Sequence, residues 1–351
     1  MMREAFHEYA AGGGAAPADI TDEIAIARPR IVALGGGNGL STLLRGLRPL
    51  YFPSCLKPPT GPEREALTAI VTVADDGGSS GLLRKAYPML APGDIRACLL
   101  ALARNQTTLQ SLFDFRFNGD VGSHSLGNLI LTALAQTEGD FTRAIERASE
   151  LLEVCGRVLP ATPDNVSLRA RFADGTSICG ESGITAARKK IERIELEPKQ
   201  IGTLPQTTTA LLNADVIVLG PGSLYTSIVP TLLVPGIADA IAASRARIVL
   251  VMNLMTEPGE TDTYTPLDFL RALRSHAPGV AVDYVLQNST PIPQQQRARY
   301  DAQGAVQIAP SAQRFPGFVC RPVFRDLFSH VPGAKIRHDP DKLARALLEL
   351  C

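Results

Sequence analysis

Four short hydrophobic runs in this chain each stop at a glycine-rich or polar loop, and that pattern limits the folds open to it. Residues 30–34 lead into Gly35-Gly36-Gly37-Asn38-Gly39, and residues 67–73 into Asp75-Asp76-Gly77-Gly78-Ser79-Ser80-Gly81. Residues 215–219 lead into Gly220-Pro221-Gly222-Ser223, and residues 247–252 into Asn253-Leu254-Met255-Thr256. In an open parallel sheet the carboxyl ends of the strands face one crevice, where ligands bind. Four such loops on one edge point to a phosphate-bearing ligand, a nucleotide first of all.

The expected fold is therefore α/β and Rossmann-like: a mostly parallel sheet flanked by helices. The first strand, its glycine loop and a helix over residues 40–47 follow in that order. Prolines 53, 58, 59 and 62 mark a surface loop before the second strand. Apolar residues recur at helical spacing through residues 95–102 and 126–134, so residues 93–155 read as largely helical. From Arg157 the period changes. Residues 166–172 alternate, Asp174-Gly175 is a hairpin signal, and residues 191–196 alternate again. We expect a small antiparallel β insertion over residues 157–197. Helices are expected over 265–275 and 341–350, and a buried strand over 280–286. Residues 1–28, with Ala11-Gly12-Gly13-Gly14-Ala15-Ala16-Pro17, read as a flexible N-terminal tail. Residues 29–351 read as a single nucleotide-binding domain.

Charge and cysteines exclude several classes. The 35 basic residues balance 35 acidic ones, so the chain lacks the electrostatic footprint of a nucleic-acid binder. No apolar run reaches the roughly 18–20 residues that span a bilayer. No basic-then-apolar leader opens the sequence, and the cytoplasm is the expected address. The six cysteines are scattered without a CxxC pair, which argues against disulfides and a zinc site.

The loops carry the candidate chemistry. Gly35, Gly36, Gly37, Asn38 and Gly39 stand between a strand and a helix, where backbone N–H groups can cradle a phosphate. Gly220, Gly222, Ser223 and Tyr225 form a second cradle of the same kind. Asp75 and Asp76 are candidate catalytic carboxylates. They can bind ribose hydroxyls, hold Mg²⁺ beside a phosphate, or act as a general base. Ser79 follows them as a ligand-contact candidate. Asp94 reads as a helix N-cap. Arg96 can reach a phosphate or pair with Asp75 or Asp76. His124, in His124-Ser125-Leu126-Gly127-Asn128, is the third catalytic candidate, able to move a proton or bond an anionic oxygen. Asn128 can bond a ligand or support the helix start. Asn253 and its neighbours Thr256, Glu260 and Thr261 can contact base or sugar. His7, His276, His330 and His338 read as surface or tail residues. A GxGxxG dinucleotide fingerprint fails, because position 40 is Leu40 and position 42 is Thr42. A Walker-type Gly-Lys-Ser/Thr is absent as well.

Taken together, residues 31–41, 73–81, 124–128 and 219–227 resemble the CofD-like family. The nearest resemblance is to its YvcK-like branch of gluconeogenesis factors, over about residues 29–350. The resemblance implies a Rossmann-like fold and two possible roles. One is a UDP-sugar-binding regulatory protein, with UDP-N-acetylglucosamine as ligand, acting in cell shape and peptidoglycan morphogenesis during gluconeogenic growth. The other is a Mg²⁺-dependent phospholactyl-type transferase using a nucleotide-activated donor. It further implies that both glycine loops face the diphosphate. Asn38 stands where the family has Thr, and its amide can still donate to phosphate. Tyr300 and Arg337 match family positions near the ligand cleft, with Tyr300 suited to stack on uracil and Arg337 to clamp the diphosphate. The expected partners are a UDP-sugar or other nucleotide, regulators of cell-wall synthesis, and a second copy of the chain.

Overall fold

The four runs occupy the middle of one sheet. A computed structural model describes residues 28–53, 59–104, 108–118, 124–331 and 333–351. Its strands are β1 (Ile31–Gly35), β2 (Leu67–Val71), β3 (Arg157–Pro160), β4 (Ser167–Phe172), β5 (Ser177–Cys179), β6 (Ile191–Glu197), β7 (Val216–Leu219), β8 (Arg247–Val251), β9 (Tyr284–Asn288) and β10 (Arg321–Arg325). Seven form a sheet in the order β10-β9-β8-β7-β1-β2-β3, and every neighbouring pair is parallel. Every residue of β1, β2 and β7 is buried, as is all of β8 after Arg247. Helices covering both faces require such unbroken apolar runs.

Two groups of helices pack against this sheet. Gly37–Tyr51 contacts Pro92–Leu102 and the closing helix Pro340–Leu348. Gly46 permits the latter contact, since a Cβ there would lie 2.0 Å from the Pro340 carbonyl oxygen. The second group joins Pro205–Leu212, Val229–Leu233, Ile237–Ala243 and Pro266–His276. Among the described residues no single helix is long and apolar enough to cross a membrane.

The antiparallel unit is smaller than the alternation suggested. Only β4, β5 and β6 form it, in the order β5-β4-β6. Arg157–Pro160, read as its first part, is instead the edge strand of the parallel sheet, paired with β2. Four residues are too few to show whether alternation or burial sets their pattern. The Asp174-Gly175 turn does join β4 to β5, with Gly175 at φ +80. Leu168, Ala170 and Phe172 are fully buried and merge this unit into the main core. Residues 1–27 of the expected tail lie outside the described residues.

Candidate functional site

Strand order sets the location of the cleft. From β1 the chain adds β2 and β3 on one side, then β7 to β10 on the other, so the direction reverses between β1 and β7. Ligands in open α/β sheets bind at such switch points. The loops after β1 and β7 meet here. A Cβ on Gly39 would lie 2.3 Å from the Pro221 carbonyl oxygen, so only glycine lets the two loops touch. The helix Gly37–Tyr51 starts without a side-chain cap and without an acidic residue in its first turn. Its N–H groups and positive dipole end face the crevice, which favours an anion.

A cavity of about 390 Å³ opens over these loops. Asn38, Gly222, Asn253, Glu257, Tyr300 and Arg337 are among its lining residues. Asn253 Oδ1 accepts the Gly222 N–H at 3.4 Å, tying the loops after β7 and β8 together. The Tyr300 hydroxyl accepts the Ile336 N–H at 2.9 Å, which fixes the ring beside the Arg337 segment. Tyr300 and Arg337, carried only by family resemblance, thus share one cavity with the glycine loops.

A second, polar pocket of about 270 Å³ lies beyond Gly37 and Asn38, toward the loop after β2. Ser79, Asp75, Asp94, Arg96, Arg116 and Asn128 are among its lining residues. Ser79 Oγ lies 2.9 Å from His124 Nδ1 and accepts from Asn128 Nδ2 at 3.0 Å. Arg96 pairs with Asp114 at 2.8 Å, not with Asp75 or Asp76. The two aspartates have separate tasks. Asp75 Oδ1 accepts the Gly77 N–H at 2.7 Å and closes the turn into the next helix. Asp76 Oδ1 accepts both the N–H and the hydroxyl of Ser182 at 2.9 Å, so it docks the helix Glu181–Ala187 of the antiparallel unit. Among the described residues, no three His, Cys, Asp or Glu side chains converge as a metal site.

Buried carboxylates gather around these pockets, Glu257 lining the first and Asp94 the second. Burial, then Asp75, raises Asp94 to about 6, although its carboxylate accepts the Gly37 N–H. Burial, then Asp75 and Asp94, raises Glu181 to about 9. Glu257 and Glu260 form a coupled pair, both raised by burial, with Glu260 raised further by Glu257. Ser223 donates to Glu257 at 2.9 Å and Thr185 to Glu260 at 3.0 Å. An unpaired charge in low dielectric is costly, so such groups retain protons.

Several sequence expectations change here. Tyr225 is a core residue, 3% exposed, and its hydroxyl bonds Tyr264 at 2.9 Å. It lies in a π-helical turn, Leu224–Ile228, which directs it inward. Ser223 serves Glu257 and does not line the cavity. Gly35, Gly36 and Gly220 shape the loop crossing: a Cβ on Gly36 would strike Asp94 at 2.4 Å, and Gly220 has φ +80. Asp94 is not the N-cap of its helix, which is Ala91. His276 and His338 are buried, not surface residues. His276 Nε2 accepts the Ile194 N–H, and His338 Nε2 donates to the Met252 carbonyl at 3.1 Å. Glu181 and Glu257 were missed altogether, because an isolated glutamate in sequence carries no sign of its burial.

Comparison with known proteins accords with this geometry. The family described as 2-phospho-L-lactate transferase CofD matches residues 31–327. A Halalkalibacterium halodurans protein described as a gluconeogenesis factor is 43% identical, over 92% of this chain and 96% of the relative. A Bacillus subtilis protein of the same description is 42% identical, over 92% and 98%. A crystal structure of a Bacillus halodurans protein superposes with a TM-score of 0.83 at 42% identity, covering 92% of this chain and 99% of the other.

Proposed function

The chain belongs to the CofD family, and from that premise we propose that it is a UDP-sugar-binding regulatory protein of the gluconeogenesis-factor kind. The observation that carries this reading is the 390 Å³ cavity, where the start of the helix Gly37–Tyr51 and both glycine loops meet Tyr300, Arg337 and Asn253. The diphosphate lies over Asn38, Gly39 and Gly222, and Arg337 closes on it. Uracil stacks on Tyr300. The sugar extends toward Glu257, whose carboxyl suits hydroxyl partners. Family resemblance supports a role in cell shape during gluconeogenic growth, in the cytoplasm. Ligand occupancy shifts the conformations that cell-wall regulators read, in a homo-oligomer.

The transferase reading draws support from the second pocket, which adds Ser79 and Arg96 beside the cradle, with His124 bonded to Ser79. Its Mg²⁺ fits poorly. Asp76 is spent on Ser182, and the described carboxylates do not converge as a metal site.

A thermal-shift titration with UDP-N-acetylglucosamine, NAD and GTP, each with and without Mg²⁺, tests the proposal. A ligand that binds only the folded state raises its melting temperature. The expected result is a shift with the UDP-sugar that does not depend on Mg²⁺. A Mg²⁺-dependent shift with GTP alone would overturn it in favour of the transferase.

A further inference from the structure

We propose that Ser79 is a catalytic nucleophile and His124 its base, in a pocket that accepts the phosphoryl group of a phosphate ester. The pocket is separate from the nucleotide cavity, with Asn38 as the lining residue common to both.

The proximity of Ser79, His124 and Asn128 carries the argument. An amide NH₂ can only donate, so Asn128 Nδ2 gives its proton to Ser79 Oγ. Ser79 Oγ lies 2.9 Å from His124 Nδ1, within reach for its hydroxyl proton to pass to the ring. In the proposed reactive state the imidazole carries its proton on Nε2 and Nδ1 accepts from the hydroxyl. A hydroxyl aimed at a neutral imidazole is the ground state of a nucleophile and its base. The group supporting it is rigid. Asn128 is 3% exposed, its N–H goes to Ser125 Oγ at 3.3 Å, and its carbonyl accepts from Thr132 at 2.8 Å. Its Oδ1 is enclosed without a partner in the pocket wall, an acceptor that a purely structural amide would have satisfied.

Ser79 also occupies a suitable turn. It follows β2 and Gly78, whose φ of +46 bends the chain sharply into the helix Gly78–Ala86. This helix and Pro92–Leu102 both begin without side-chain caps. Arg96 and Arg116 stand in the same wall, and together these groups suit a tetrahedral anion.

The step balances without a metal or redox partner. Ser79 Oγ bonds to phosphorus as its proton passes to His124 Nδ1. The bond from phosphorus to the ester oxygen breaks, and the leaving alcohol departs with the electron pair. Asp94, raised to about 6 and lining the same pocket, is placed to protonate it. Water then attacks the phosphoserine, its proton going to Asp94, while the bond from phosphorus to Ser79 Oγ breaks and His124 returns its proton to that oxygen, giving inorganic phosphate and restoring Ser79.

Labelling of the full chain with a fluorophosphonate probe, mapped by peptide mass, tests this. Phosphorus bonds to the serine oxygen and fluoride leaves. We expect an adduct on Ser79, slowed by inorganic phosphate and absent in Ser79→Ala. Its rate should fall about a hundredfold in His124→Ala, the size of a general-base contribution. Failure of the unaltered protein to label at Ser79 would overturn the proposal whatever the variants do. So would an undiminished rate in a His124→Ala protein that circular dichroism shows to be folded. UDP-sugar binding is measured separately, so either proposal can fail alone.

Discussion

The two walls of the cleft are built from opposite materials. The wall made by the loops after β1 and β7 is glycine and backbone amide; the first turn of its helix carries no carboxylate of its own, and one from the neighbouring helix, Asp94, takes the Gly37 N–H. The wall made by residues 253–261 and the helix Glu181–Ala187 is rich in carboxylates, three of which burial drives toward protonation. Such a cleft directs a ligand's negative charge to one side and holds protons on the other. The first wall owes its property to local backbone conformation. The second owes it to tertiary burial, so the two respond to different perturbations.

The largest effect should come from blocking the glycine wall. A Cβ on Gly222 would meet Gly36 O at 3.4 Å, Ser227 Cβ at 3.5 Å and Gly36 N at 3.9 Å, all ordinary contact distances, so Gly222→Ala fits. The longer side chain of Gly222→Leu must push apart the crossing of the two glycine loops that floors the cavity. We expect it to cut UDP-sugar affinity about a hundredfold or more, roughly 2.8 kcal/mol. Isothermal titration checks this, and unchanged affinity would remove the cradle from the argument. Arg337→Ala should cost about tenfold, as expected for one charged hydrogen bond, and Arg337→Lys should restore only part of it.

The same division explains what the sequence revealed. The four central strands were legible because burial on both faces makes each an unbroken apolar run. β10 was not. It is an edge strand, Arg321-Pro322-Val323-Phe324-Arg325, half-exposed and charged at both ends. Glycine loops were legible because their conformational demand is local. The contact of Gly39 with Pro221 brings together residues 182 positions apart (221 − 39), and no spacing predicts it. Asp75 and Asp76 look equivalent in sequence, yet one caps its own turn and the other docks a helix 106 residues away. Tyr225 looked like a ligand contact because it follows the Gly-Pro-Gly loop. The π turn rotates it toward Tyr264 instead.

The carboxylate wall should respond to pH. Glu260 is raised to about 8 in the folded chain, above its ordinary value of 4.5. Between those values the folded state binds more protons than the unfolded state, so stability falls as pH rises. The contribution is fully present below about 4.5 and lost as pH passes through about 8. Glu260→Gln keeps an acceptor for Thr185 and removes the charge. It should therefore be more stable than the unaltered chain at pH 8.5, by roughly 1–3 kcal/mol, and indistinguishable from it at pH 4.5. Urea unfolding at the two pH values reads this directly. A larger gain at the lower pH would mean that Glu260 is ionised throughout and has a cationic partner.

The smallest effect decides which wall Asp76 serves. If Asp76 docks the antiparallel unit, Ser182→Ala loses one of two bonds to that carboxylate, while the Ser182 N–H bond remains. The expected cost is about 1 kcal/mol. It should be confined to faster amide exchange in the helix Glu181–Ala187, because local openings involve the elements whose contacts were removed. UDP-sugar affinity should stay within about twofold, since neither Asp76 nor Ser182 lines the cavity holding the nucleotide. A tenfold loss of affinity with unchanged exchange would reverse the assignment. Asp76 would then belong to the ligand, and the carboxylate wall would reach across the loop after β2 into the nucleotide site.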